Sequence, residues 1–325
     1  MSSKSSFLFL LCSFIFVFLS VSCISLPKAL FPGRKSLPVL EKMEERMFWR
    51  IRGYNSSGKK FTVYIQGTIH VGDERLYPLE KNVLKAFHSS STLISELSGE
   101  DLKMFSDEIR ERTTGSFSKA AGRTVTKNLS AAEKEKLRLI LDDETIDFLT
   151  LLEPWCMIMA LCSSPQVQSK LSPDFSLDEY FSKLAVEEKK DVLGLETLEE
   201  QLDSISGGTY DEQLSQLKEI LSGIDALAFK QEMNSASMDL YEAYLACDME
   251  KMRELTTEDE RNKKWAERLL SYFETGGTFF VFAGCAHFVS ENSVFDYLED
   301  WGAVRQCSTV VRQSLPTELQ DSGSK

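Results

Sequence analysis

The chain has 325 residues, of which 42% are hydrophobic and 27% charged. That composition is ordinary for a globular protein and argues against a disordered chain, and the length allows one large domain or two small ones. The formal net charge is -13, so the chain lacks the basic surface that neutralises phosphates, and we expect no nucleic acid among its partners.

The N-terminus has the pattern of a secretory signal. An apolar run at 7–19 follows Lys4; it is short for a membrane-spanning helix, which needs about 20 residues. Small residues then precede Cys23, an arrangement that resembles the lipobox of bacterial lipoproteins. We therefore expect a signal peptide at 1–22, lipidation at Cys23, and an extracytoplasmic protein anchored to a bacterial membrane. An uncleaved hydrophobic anchor is the alternative.

The next segment, 23–44, is rich in proline and shows little periodicity, which is typical of a tether. The domain is expected to span 45–312. It opens with two β-rich runs at 48–52 and 61–65, which flank turn residues and predict a hairpin. A polar tail follows at 313–325.

Helical and strand-like patterns alternate along the rest of the domain. We predict helices at 79–87, 100–185, 198–272 and 292–301, and strands at 92–94, 191–195, 279–282 and 304–311. This alternation predicts an α/β fold with a large helical insertion at about 100–272. Seven cysteines with irregular spacing indicate neither a disulfide framework nor a Cys-x-x-Cys zinc or redox site.

A short motif occurs twice, each time directly after a predicted strand. The first strand leads into Gly67 and His70, and the strand at 279–282 leads into Gly284 and His287. Both are Gly-x-x-His, and the chain has only three histidines. Ligands of open α/β sheets bind beyond the carboxyl ends of strands, where glycine permits a sharp turn or a close approach. Two copies in the same context favour a shared functional site.

A carboxylate has the same placement, since Glu96 ends the predicted strand at 92–94. Two imidazoles and one carboxylate form a plausible divalent-metal site in which the metal activates water. The metal-free alternative is histidine acting as a general base that Glu96 orients.

Both motifs lie in longer stretches that resemble, in order, the TraB/GumN family. These stretches are 64–72, 77–86, 93–97, 153–155, 177–181, 193–202, 260–265 and 282–287. The resemblance covers about 45–306. The chain departs from the family pattern at Ser176, Ser290 and Ser293, where glycine is common.

The resemblance implies a mixed sheet flanked by helices, and metal-dependent cleavage of secreted peptides or proteins. Carried over by position, His70, Glu96 and His287 become metal ligands and catalytic residues, with Mn, Co or Zn as the metal. Arg261 would direct a guanidinium into the site, where it suits a carboxylate or an oxyanion. Without the resemblance, Arg261 reads as a surface charge on a helix.

Two other functions stay open. Related ChaN-like proteins bind haem, so the chain could capture haem or a peptide without catalysis. It could also be a structural surface lipoprotein. Other polar residues have simpler interpretations: we expect His88 to be structural, Glu196 to cap the following helix, and Cys285 to be a small buried residue.

Overall fold

The computed structural model of the protein describes residues 36–164, 171–222, 226–256 and 260–307. The expected signal peptide, the proposed lipidation site Cys23 and the expected tail at 313–325 lie outside these ranges. Among the described helices, none has the length and apolar character needed to cross a bilayer.

The core of the fold is a mixed seven-stranded sheet, as expected. Its strands are β1 (Val39–Lys42), β2 (Phe48–Tyr54), β3 (Lys60–Thr68), β4 (Thr92–Ser95), β5 (Val192–Gly194), β6 (Gly277–Gly284) and β7 (Arg305–Gln306). They are arranged in the order β5-β4-β6-β3-β2-β1-β7. The pairs within β1-β2-β3 are antiparallel and the other pairs are parallel. The predicted α/β class is therefore confirmed.

The tether expected at 23–44 is too long at its C-terminal end. Strand β1 lies within that segment and pairs with β2, with Leu40 opposite Ile51 and Glu41 opposite Arg50. Glu41 is buried and accepts a hydrogen bond from Arg50. The folded part therefore begins before residue 45. The sequence pattern did not indicate this four-residue strand because the segment is rich in proline. The predicted hairpin itself is present as β2 and β3.

The helices cover both the sheet and a separate region. They are α1 (Lys81–Ser89), α2 (Gly99–Lys119), α3 (Ala131–Ile140), α4 (Asp143–Leu149), α5 (Pro154–Ser163), α6 (Leu177–Glu187), α7 (Leu198–Ser206), α8 (Tyr210–Ile220), α9 (Ala226–Ala246), α10 (Met249–Leu255), α11 (Arg261–Phe273), α12 (Ala286–Val289) and α13 (Val294–Asp300). Two serines at which the resemblance led us to expect glycine cap helices: Ser176 at α6 and Ser293 at α13.

Two hydrophobic cores result. The main core joins the sheet to helices on it, including α1, α6 and α11, and its aromatic centre contains Phe87, Phe181 and Phe280. A second core lies between helices of the insertion and contains Leu137, Met157 and Leu217. The insertion is thus present, but its chain also returns to the sheet as β5 and to the main core as α6.

Candidate active site

The two Gly-x-x-His motifs lie next to each other because β3 and β6 are neighbouring parallel strands. Their register pairs Thr68 with Gly284, so both strands end at the same edge of the sheet. A Cβ atom placed on Gly284 would meet three side chains. It would lie 3.2 Å from Oε1 of Glu96, 3.5 Å from Cδ2 of His287 and 3.9 Å from Nε2 of His70. The predicted trio therefore converges on one point.

His70 is oriented by a carboxylate on α6. Its Nδ1 lies 3.0 Å from Oδ2 of Asp178, and Thr68 donates a hydrogen bond of 2.5 Å to Oδ1 of the same carboxylate. Asp178 is thus held from two sides by groups at the end of β3. The contact through Nδ1 leaves Nε2 of His70 on the side of Gly284.

The ion pair changes the protonation of both partners. Burial alone would lower the pKa of His70, but the charge and hydrogen bond of Asp178, helped by the charge of Glu96, raise it to about 9. Burial alone would raise the pKa of Asp178, but His70 and the Thr68 hydroxyl lower it. His70 is therefore an imidazolium at neutral pH. The metal-free alternative of a histidine base that Glu96 orients is wrong in its orienting group, which is Asp178.

Glu96 is a buried carboxylate directly beyond β4. Its Oε1 accepts a hydrogen bond of 3.0 Å from the backbone N–H of Gly284, and its Oε2 accepts one of 3.3 Å from Gln201 on α7. The carboxylate is only 8% exposed, and these two donors compensate for its loss of water. The backbone N–H of the motif glycine Gly284 therefore helps to hold the carboxylate of Glu96 in place.

One turn of α11 surrounds His287. Nη2 of Arg261 lies 3.3 Å from Nε2 of His287, and Oδ1 of Asn262 lies 2.7 Å from Nδ1. The ring of Trp265 covers the imidazole, with centroids 4.0 Å apart. A guanidinium can only donate, so Nε2 accepts and Nδ1 carries the hydrogen that Asn262 receives. Asn262 is held in turn by its bond to the carbonyl of Asn292.

Arg261 is fixed by Glu196, at the end of β5. Nη1 of the arginine lies 2.9 Å from Oε1 of Glu196, and both side chains are buried, at 10% and 2% exposure. Arg261 is therefore not a surface charge on a helix. The expected cap of the following helix is also wrong for Glu196, because Thr197 caps α7 in a capping box with Glu200.

The loop that carries His70 is fastened at both sides. Gly72 and Ser172 exchange two backbone hydrogen bonds, and the N–H of Leu177 donates to the carbonyl of Ile69. The hydroxyl of Tyr241 on α9 donates to Oδ1 of Asp73 and accepts from the N–H of Asp73. The loop is thus bound to α6 and α9 on either side of His70.

The expected metal site does not fit the side chains as they are arranged. Within the described ranges, no three histidine, cysteine, aspartate or glutamate side chains are placed to hold an ion. The contacts give the reason at His287, whose Nε2 accepts from Arg261. A tripod needs one directed lone pair from each ligand, and an imidazole nitrogen has only one, which the guanidinium already occupies.

All four predicted side chains, His70, Glu96, Arg261 and His287, meet at this edge of the sheet. The third histidine, His88, pairs with Glu188 instead, as expected of a structural residue. Sequence patterns alone did not place the supporting residues in the site; these are Asp178, Glu196, Gln201 and Asn262. Each lies inside one of the family-like stretches, which was the available signal.

The chain is similar to known proteins over most of its length. The model of the TraB/PrgY/gumN family matches residues 47–306. An uncharacterized protein of Treponema pallidum (strain Nichols) is 30% identical over 321 residues, which cover 91% of this chain and 91% of that protein. No solved structure matches the chain. Since the family match includes both motifs and every side chain of the site, the chain belongs to the TraB/PrgY/gumN family.

Proposed function

We propose that this chain is a hydrolase that cleaves peptide bonds in extracytoplasmic peptides or proteins. His70, Glu96, Arg261 and His287 would form its reaction centre. The observation that carries the proposal is the convergence of Glu96 and both motif histidines within 4 Å of one point above Gly284. Charged groups of both signs that share a partly buried site are typical of general acid–base catalysis.

The contacts favour particular roles. Glu96 is the side chain suited to take a proton from an attacking water, because it is a buried carboxylate fixed by two donors. Because the pKa of His70 is about 9, its imidazole carries a proton at neutral pH, which suits donation to the leaving amine. Arg261 supplies fixed donors and positive charge for the oxyanion that develops on the attacked carbonyl.

The proposed location rests on the N-terminal pattern alone. Lipidation at Cys23 would hold the domain at the outer face of a bacterial membrane, where secreted peptides are accessible. In a bacterial host, the wild-type chain should sediment with membranes, and Cys23→Ser should appear as an uncleaved or released form. Equal mobility and equal fractionation of the two would contradict lipidation.

Cleavage can be measured with the full chain in detergent and a peptide library, read by mass spectrometry. We expect His70→Ala and Glu96→Gln each to lower turnover by roughly 10²- to 10⁴-fold, the usual contribution of one acid or base. His88→Ala is the matched control, since this histidine contacts Glu188 outside the site. Unchanged turnover in His70→Ala would contradict the proposed reaction centre.

The cleavage assay, together with measurements of peptide and haem binding, separates the other functions. Metal dependence would require Arg261 to leave His287; a chelator that abolishes cleavage, with recovery on adding Mn²⁺, Co²⁺ or Zn²⁺, would establish it. Saturable peptide binding without cleavage would favour a binding protein, and a Soret shift that His287→Ala abolishes would identify haem as the ligand.

A further inference from the structure

A buried guanidinium bridges two acceptors in the candidate site. Nη1 of Arg261 lies 2.9 Å from Oε1 of Glu196, and Nη2 lies 3.3 Å from Nε2 of His287. The two nitrogens are the two tips of one planar fork. The position of one tip therefore sets the position of the other, and Glu196 determines where the guanidinium meets His287.

The imidazole has one lone pair to offer. Its Nδ1 is committed to Asn262 at 2.7 Å, and Nε2 receives Arg261. A metal ion bound to this histidine would need the same Nε2 lone pair that the guanidinium now uses. The ion and the guanidinium are also both positive, so they cannot share the position in a buried site without strong repulsion.

We infer that the Glu196–Arg261 pair excludes divalent metal ions from this centre, by keeping the guanidinium in the coordination position of His287. Glu196 is the positioning residue of this arrangement. The inference concerns the side chains of the proposed function but does not rest on hydrolysis, and its readout is ion binding.

Burial makes the Glu196–Arg261 pair costly to separate. Both side chains are at most one-tenth exposed. An ion that displaced Arg261 would leave Glu196 with a buried charge deprived of this partner, which is strongly unfavourable. Removal of both charges together avoids that penalty, so a double substitution is the appropriate variant.

The test is calorimetric titration of the full chain in detergent with Mn²⁺, Co²⁺ or Zn²⁺ alone. We expect no stoichiometric site in the wild type. The double variant Glu196→Gln/Arg261→Met should bind one ion per chain, with an affinity on the order of 10-fold to 100-fold above the non-stoichiometric background of the wild type. Adding His287→Ala to that variant should remove the gained site.

The matched control removes another arginine–glutamate pair, about two turns further along the same helix and more exposed to solvent. Arg268 lies 2.6 Å from Glu200, so Glu200→Gln/Arg268→Met makes the same change of charge without touching His287. This control should bind ions no better than wild type. An equal gain would reduce the effect to general electrostatics and overturn the inference.

Folding of each variant is checked by circular dichroism. If the double variant does not fold, Glu196→Gln/Arg261→Gln serves in its place, since it also removes both charges and the guanidinium but keeps two polar side chains. A gained site is expected there too. The inference is overturned if wild type binds one ion through His287, or if the folded variant gains none.

Discussion

Nδ1 of His70 lies 3.0 Å from Oδ2 of Asp178, and this ion pair joins the end of β3 to the first turn of α6. The pair makes the stability of the protein depend on pH. In the folded chain the pKa of His70 rises from 6.5 to about 9, because Asp178 outweighs the effect of burial. Its stabilising contribution is therefore fully present below pH 6.5 and is lost as the pH rises through about 9.

Thermal melts at several pH values test this linkage. The difference in melting temperature between wild type and Asp178→Asn should be largest near pH 6.5 and should shrink towards pH 9 and above. The difference will be modest, because the His70 side chain is 37% exposed and solvent screens the pair. A difference that is constant over this range would show that the pair does not titrate as described.

Gly284→Ala should abolish activity while the fold is retained. The added methyl would enter the space between Glu96, His70 and His287, at 3.2 to 3.9 Å from their atoms. The backbone of Gly284 does not need the left-handed conformation, so we expect a stability change of only about 1–3 kcal/mol. Turnover and urea unfolding measure the two effects. Gly115→Ala is the control: nothing lies within 4 Å of that position in α2, so alanine should add about 1 kcal/mol of stability.

Gly67→Ala should destabilise the protein by a different route. Its Cβ would lie 2.9 Å from Sγ and 3.2 Å from Cα of Cys285, so the first motif has no room for a side chain against the second. Such overpacking costs about 1–3 kcal/mol. Combining it with Cys285→Ala removes the shortest contact, and the double variant should lose less stability than the sum of the single changes. If the losses in free energy of unfolding were strictly additive, Gly67→Ala would not be overpacking against Cys285.

Tyr241→Phe should loosen the loop that carries His70. The substitution removes both hydrogen bonds that the hydroxyl makes with Asp73. The global cost should be about 1 kcal/mol, because water can replace these bonds at the partly exposed aspartate. Hydrogen exchange should accelerate at 69–76. Tyr272→Phe, which removes a bond to the carbonyl of Gly194 at the other side of the sheet, should leave that exchange unchanged.

The sequence was sufficient for the parts of the site that depend on local pattern. A strand followed by Gly-x-x-His can be read from consecutive residues, and the ends of parallel strands share an edge. This logic correctly brought together His70, Glu96 and His287. It required no knowledge of how the helices pack.

The supporting pairs could not be derived in that way. Glu196 and Arg261 are 65 residues apart in sequence, and His70 meets Asp178 only because α6 packs over the end of β3. Acidic side chains usually face solvent, so nothing in the local pattern distinguished Glu196 and Asp178 from the many other acids in an acidic chain. The same holds for β1, whose four residues follow a proline-rich stretch.

The ladder between β3 and β6 has a consequence for how this protein can diverge. Eight consecutive residue pairs set the two histidine loops relative to each other, whereas part of the intervening chain builds a helical region with its own core. Changes in the part of that region away from α7 would leave the side chains of the centre in place, because their contacts come from other elements. Divergence is therefore easier in the second core than in α6, α7 and α11, which supply Asp178, Gln201 and Arg261 to the centre.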